Sequence, residues 1–181
     1  MTGTFEVFGE LEWVKAFEHN RDMKGPPGAG WAEKGGMYTA DIYMDDENAQ
    51  ILRDSGTASK IEKMDDGRWK FRFKRPHNHK YPQYGGPPQV VNADNTPWDE
   101  GLGDVGNGSK GYVMFVTYET SLSNGTRMEG IQVTEPQYFA SAPRFQDRSG
   151  ESAPAPKAFT PKTPTTKPVP ASAVPDDEIP F

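Results

Sequence analysis

Residues 68 to 75 read Arg68-Trp69-Lys70-Phe71-Arg72-Phe73-Lys74-Arg75, the cleanest alternation of apolar and charged residues in the chain. Successive side chains of a β-strand point to opposite faces, so Trp69, Phe71 and Phe73 share one side while Arg68, Lys70, Arg72 and Lys74 share the other. The stretch reads as a strand with an aromatic core face and a cationic outer face. Residues on one face lie roughly 6.6 Å apart, comparable with the spacing of successive nucleotides in an extended single strand.

Four more segments read as strands: Thr4 to Phe17, Gly36 to Met44, Tyr112 to Glu119 and Met128 to Thr134. Gly36 to Met44 sets Tyr38, Ala40, Ile42 and Met44 against Thr39, Asp41 and Tyr43. Asn124-Gly125, between the last two strands, is the expected signal of a tight hairpin turn. One helix is predicted over Asp46 to Asp54, opened by Asp45, Asp46 and Glu47, which favour a helix N-terminus. Asp22 to Gly36 and Pro76 to Lys110 are Gly/Pro-rich loops. The composition agrees: among 181 residues there are only four leucines against ten valines and 21 aromatics, too few Leu-rich stripes for a helical bundle. The expected fold is all-β with small α content, a five-stranded, partly open barrel of the OB type with long inserted loops.

The composition shifts near Asp147. From Arg148 to Phe181 eight prolines fall among 34 residues, with only two phenylalanines, so this segment cannot bury enough apolar surface to offset its conformational entropy. The chain therefore divides into a domain over 1–147, a disordered Pro-rich linker over 148–175 and an acidic tip over 176–181. No apolar run approaches the roughly 18 residues of a membrane span, and Met1 to Phe8 carries an acid instead of a basic leader. A chain without cysteine excludes disulfides and thiol chemistry and suits a reducing cytoplasm, which is the expected location.

The net charge of −6 conceals a strong asymmetry. Arg68, Lys70, Arg72, Lys74, Arg75 and Lys80 are six bases within 13 residues that hold no acid, while the rest of the 1–147 domain has 10 bases and 22 acids. Four like charges on one strand face repel unless an anionic partner offsets them. Such a face can also be a solvated surface that deters edge-to-edge pairing. The functional reading is the floor of a groove that tracks phosphates. Single-strand binders add flat rings on which bases stack. Trp31, Tyr81, Tyr84 and Trp98 lie in Gly/Pro-rich loops, and Tyr43 lies on the polar side of its strand, so these five are the candidate stackers. His77-Asn78-His79 lacks a third ligand nearby, and no nucleotide loop or nucleophile elbow is present. No enzyme activity, cofactor or metal is expected.

The chain ends Asp176-Asp177-Glu178-Ile179-Pro180-Phe181. This hexapeptide closely resembles the C-terminal tip of bacterial single-stranded-DNA-binding proteins, agreeing at five of six positions with Asp-Asp-Asp-Ile-Pro-Phe; Glu178 is the exchange. The 1–147 domain does not resemble the bacterial protein. It is similar instead, in architecture, to single-stranded-DNA-binding proteins of tailed bacteriophages: an OB-fold core, long inserted loops and an acidic tail ending in Phe. The resemblance implies a tip that recruits replication, recombination and repair proteins, a polymerase, helicase or nuclease among them, and that imitates DNA in the groove. The tip's chemistry suits that role: three acids and the terminal carboxylate surround the apolar anchors Ile179 and Phe181, with Pro180 limiting the entropy lost on docking.

The sequence thus points to a protein that binds single-stranded DNA without sequence preference, in phage replication, recombination and repair, with no membrane association. Its oligomeric state, monomer or dimer, is left open. A β-rich adaptor or virion component that only docks partners through its tail is the alternative, and RNA binding is a variant of the favoured reading.

Overall fold

The computed structural model describes residues 3–139. Of these, 3–100 and Asp104–Phe139 belong to one compact unit. The proposed linker and acidic tip therefore lie outside the described residues.

Among the described residues, nine strands and one α-helix follow in chain order: β1 (Gly3–Lys15), β2 (Met37–Met44), α1 (Asp46–Asp54), β3 (Glu62–Lys63), β4 (Trp69–Pro76), β5 (Gln89–Asn92), β6 (Asp104–Val105), β7 (Ser109–Glu119), β8 (Asn124–Glu135) and β9 (Tyr138–Phe139). The five segments legible in the sequence are β1, β2, β4, β7 and β8. Together with β3 and β5 they form a seven-stranded sheet in the order β3-β4-β2-β1-β7-β8-β5, antiparallel except for the parallel β5–β8 pair. The architecture is OB-like, but its ladder does not close into a barrel: β4 and β8 are not hydrogen-bonded neighbours in the sheet. A side chain crosses that seam instead, as Arg75 Nη1 of β4 donates to the Met128 carbonyl of β8 at 3.3 Å.

The core sits on the inner faces of the long strands. Phe71 and Phe73 meet edge-on at 4.7 Å, and Phe73 packs 5.0 Å from Phe115 of β7. Tyr38, Ala40, Ile42 and Met44 are all buried, as the alternation of β2 requires. Trp69 is only half-buried: its Nε1–H donates to Asp46 of α1, and Arg53 and Lys63 lie against its ring. Helix α1 begins where its acids predict, with the Asp45 carboxylate accepting from the Asn48 amide at 2.9 Å.

Several boundaries differ from expectation. Phe17 lies beyond β1, which ends at Lys15, and introduces a short 3₁₀ turn over Glu18–Asn20. Asn124-Gly125 does not form the β7–β8 turn, because both residues are already paired in β8, with Glu119 and Tyr118. The reversal uses residues 120–123, where the Thr120 hydroxyl accepts from the Leu122 and Ser123 amides and donates to the Ser123 carbonyl. Gly125 instead makes room for the Tyr118 ring, which a Cβ there would meet at 2.5 Å. The long 76–110 stretch contains β5, β6 and two 3₁₀ turns, so it is not structureless. Strand β5 escaped prediction because its pairing is parallel to a strand about 40 residues away, and the register Gln89↔Gly130 leaves no local signature.

Candidate nucleic-acid interface

Cross-strand pairing turns the alternation of β4 into an ordered surface. Three rows run across β1, β2 and β4: Glu10–Tyr43–Lys70, Glu12–Asp41–Arg72 and Lys15–Thr39–Lys74. The cations of β4 thus lie beside the polar side of β2, with acids of β1 beyond them.

Asp41 organises the middle of this face. Its carboxylate is 1% exposed and receives the Arg72 guanidinium through two bonds, Nε at 2.6 Å and Nη2 at 2.9 Å, with Lys70 Nζ at 3.5 Å. Bidentate pairing of this kind fixes geometry as well as charge. It raises the Arg72 pKa, chiefly through the hydrogen bond to Asp41. Asp41 therefore sets two cations in place and offsets one of their charges. Arg68 is held by Asp66 and Glu10, and its guanidinium lies 4.6 Å over the Tyr43 ring. Lys70 approaches the same ring at 5.7 Å. Lys74 is exposed and makes no ion pair among the described residues.

The loop after β4 carries a second group of rings, tied to the β4–β8 seam by Arg75 and Arg127. His79, Tyr81 and Tyr84 cluster with centroids 5.5 to 6.0 Å apart, and Lys80 lies 5.2 Å over Tyr81, which is 48% exposed. Tyr84 is half-buried, with the Arg127 guanidinium of β8 4.2 Å from its ring. The two histidines are engaged separately. His77 Nδ1 lies 2.7 Å from the Tyr38 hydroxyl, with Arg21 beside its ring, while His79 Nδ1 accepts from the Tyr81 amide. Burial pushes the Tyr38 phenol pKa up.

Three of the expected contact residues are placed elsewhere. Arg75 is in phase with Phe71 and Phe73, so it turns inward and is 7% exposed. Its guanidinium donates to the carbonyls of Gln83, Gly85 and Gly86, to Met128 and to the Glu129 carboxylate at 3.1 Å. Desolvation lowers its pKa. It ties the tyrosine loop to the β4–β8 seam and does not face solvent phosphate. Trp31 is buried against Gly25, whose φ of +63° lets the backbone pass so close that a Cβ would sit 2.4 Å from the indole. Trp98 is 7% exposed and stacks on Tyr138 at 5.1 Å as part of the core. Loop aromatics often tuck back onto a barrel, and loop position alone does not separate these two indoles from rings that stay exposed. The parity of Arg75 was readable in the sequence.

Two further residues on the strands were not among the expected contacts. Arg127 supports Tyr84 while its Nε donates to Glu129 at 2.6 Å. Trp13, on β1, is 56% exposed.

Neither a family model nor a curated protein sequence matches this chain. Among solved structures, it is similar to gp2.5, a single-stranded DNA binding protein encoded by bacteriophage T7. The two share 16% identity over 85% of this chain and 100% of the other, with a TM-score of 0.54. A single-stranded DNA-binding protein from bacteriophage Enc34, solved in complex with ssDNA, aligns over 75% of this chain and 88% of its own at 9% identity and a TM-score of 0.47. At such identity the likeness to the T7 protein speaks for the fold.

Proposed function

We propose that this chain is a sequence-independent single-stranded-DNA-binding protein of a bacteriophage, acting in DNA replication, recombination and repair in the host cytoplasm. The observation that carries the reading is the alignment of Lys70, Arg72 and Lys74 beside Tyr43 on one sheet face, with a loop after β4 that carries Lys80, Tyr81 and Tyr84. Cations at strand spacing neutralise successive phosphates, and rings at the same surface accept unpaired bases whatever their identity. OB-type sheets bind oligonucleotides in this manner, with loops bordering the strand face. The protein works by holding DNA and recruiting partners, without catalysis of its own. The tip at 176–181 competes with DNA for the cationic face and, when displaced, docks replication and recombination proteins. The 28 linker residues give a flexible reach of roughly 30 Å, and tethering yields an effective concentration of millimolar order.

The test is a fluorescence-anisotropy titration of a labelled thymidine oligonucleotide at two salt concentrations, with the full chain and with a chain ending at Asp147. Both bind, the shorter one more tightly, and affinity falls steeply with salt. Failure of both to bind overturns the reading and leaves the adaptor, for which the pairing of Arg72 with Asp41 and of Arg68 with Asp66 would be a means of keeping the sheet soluble.

A further inference from the structure

Strand β1 carries an irregularity that its core does not explain. Val7, Gly9 and Leu11 are buried in alternation, and continuing that phase would turn Trp13 inward. Instead the register with β2 shifts between Glu12 and Lys15, burial resumes at Val14 and Ala16, and Trp13 emerges 56% exposed. The shift places Trp13 at a φ of +51°, one of two non-glycine residues with positive φ among those described. A bulky residue in the left-handed region is strained, and such strain persists only where neighbouring structure enforces it. Here the enforcement is visible: Trp13 N–H donates to Asn107 Oδ1 at 2.7 Å, and Gly108 N–H donates to the Leu11 carbonyl at 3.1 Å.

On β1, Trp13 sits in the register shift between Glu12 and Lys15. Its strand neighbours Glu12 and Lys15 head the rows that end in Arg72 and Lys74, and β1 is two strand spacings from β4, roughly 10 Å. Val14 next to it is buried, and Glu12, Lys15 and Asn107 around it are polar, so Trp13 is the exposed apolar residue of this stretch of β1 and does not continue an apolar run. The acids of β1 leave phosphate contacts to β4 and leave stacking to the indole.

We propose that Trp13 is a base-stacking subsite: its strained, solvent-facing indole takes an unpaired nucleobase of the strand whose phosphates lie along Arg72 and Lys74. This inference rests on the single-stranded-DNA reading above and extends the interface onto β1.

The chain offers a direct readout. Trp31 and Trp98 are buried and Trp69 is half-buried against Arg53 and Lys63, so Trp13 is the one exposed tryptophan of the four. Titrating the full-length protein with a thymidine oligonucleotide quenches tryptophan fluorescence, and the quench disappears in Trp13→Phe. In Trp13→Gly, anisotropy with the labelled oligonucleotide shows affinity reduced roughly 5- to 150-fold, the range expected for one stacked base. The thermal midpoint of Trp13→Gly holds or rises, because glycine adopts the positive φ without strain. A tryptophan kept for packing moves these quantities otherwise: the midpoint falls and affinity stays, which overturns the proposal. If the wild type binds no oligonucleotide, the functional reading fails and the subsite fails with it. If the wild type binds and both variants bind and quench equally well, only the Trp13 subsite is overturned.

Discussion

Replacing Lys74 with alanine removes a solvated ammonium that pairs with no carboxylate among the described residues, so its charge is fully available to a phosphate. Lys74→Ala should reduce the slope of log K against log[salt] by about 0.7 while leaving the thermal midpoint unchanged. Arg72→Ala should change the slope less, because Asp41 already offsets that guanidinium, and should lower stability more, because the buried carboxylate is left with Lys70 alone. Comparing salt titrations and melts of the two variants checks the order; equal slopes would mean that Asp41 does not discount Arg72. Arg75, the next residue along, behaves as part of the core. Arg75→Ala strips hydrogen bonds from four carbonyls and Glu129 and should cost about 3 kcal/mol or more in urea unfolding. Arg75→Lys should restore little of this, since one ammonium has three donors and lacks the planar fork.

At the scale of elements, α1 and the loop after β4 make separable predictions. The Asp45 carboxyl is held below its ordinary pKa of 3.8, first by the Asn48 amide and then by the Asn48 side chain. A lowered folded-state pKa means that the ionised form stabilises the fold. That contribution is present above the unfolded value and is lost as the pH falls through the lower folded one. Asp45→Ala should cost about 1 kcal/mol at neutral pH, and Asp45→Asn much less. The difference between wild type and Asp45→Ala should shrink in denaturation curves taken below pH 3.8. In the tyrosine loop, Tyr81→Ala and Tyr84→Ala should each weaken oligonucleotide binding by on the order of 1–3 kcal/mol in calorimetric titrations. Tyr84→Ala should lower the midpoint more than Tyr81→Ala, because Tyr84 is half-buried against Arg127 whereas Tyr81 is 48% exposed.

For the whole molecule, three full phosphate contacts at Lys70, Arg72 and Lys74 would give a salt slope of about −2, at about −0.7 per phosphate of a single strand, and the offset of Arg72 by Asp41 should make the measured slope shallower than that. Strand parity, the aromatic core of β4 and the start of α1 were all readable in the sequence, because they follow from covalent geometry that repeats every two residues or from a cap three residues away. The six-residue tip is likewise a property of the sequence, as is the charge asymmetry that singled out β4. Tertiary structure decided which cations stay solvated and which rings stay exposed. Asp41 meets Arg72 across 31 residues and Arg75 meets Glu129 across 54, so no local pattern announces either pair. Trp31 and Trp98 disappear into the fold, whereas Trp13 is held out of it by a register shift and a loop 94 residues away. Alternation assigns a side chain to a face, but exposure depends on what the rest of the chain lays over that face, and only the folded structure settles that.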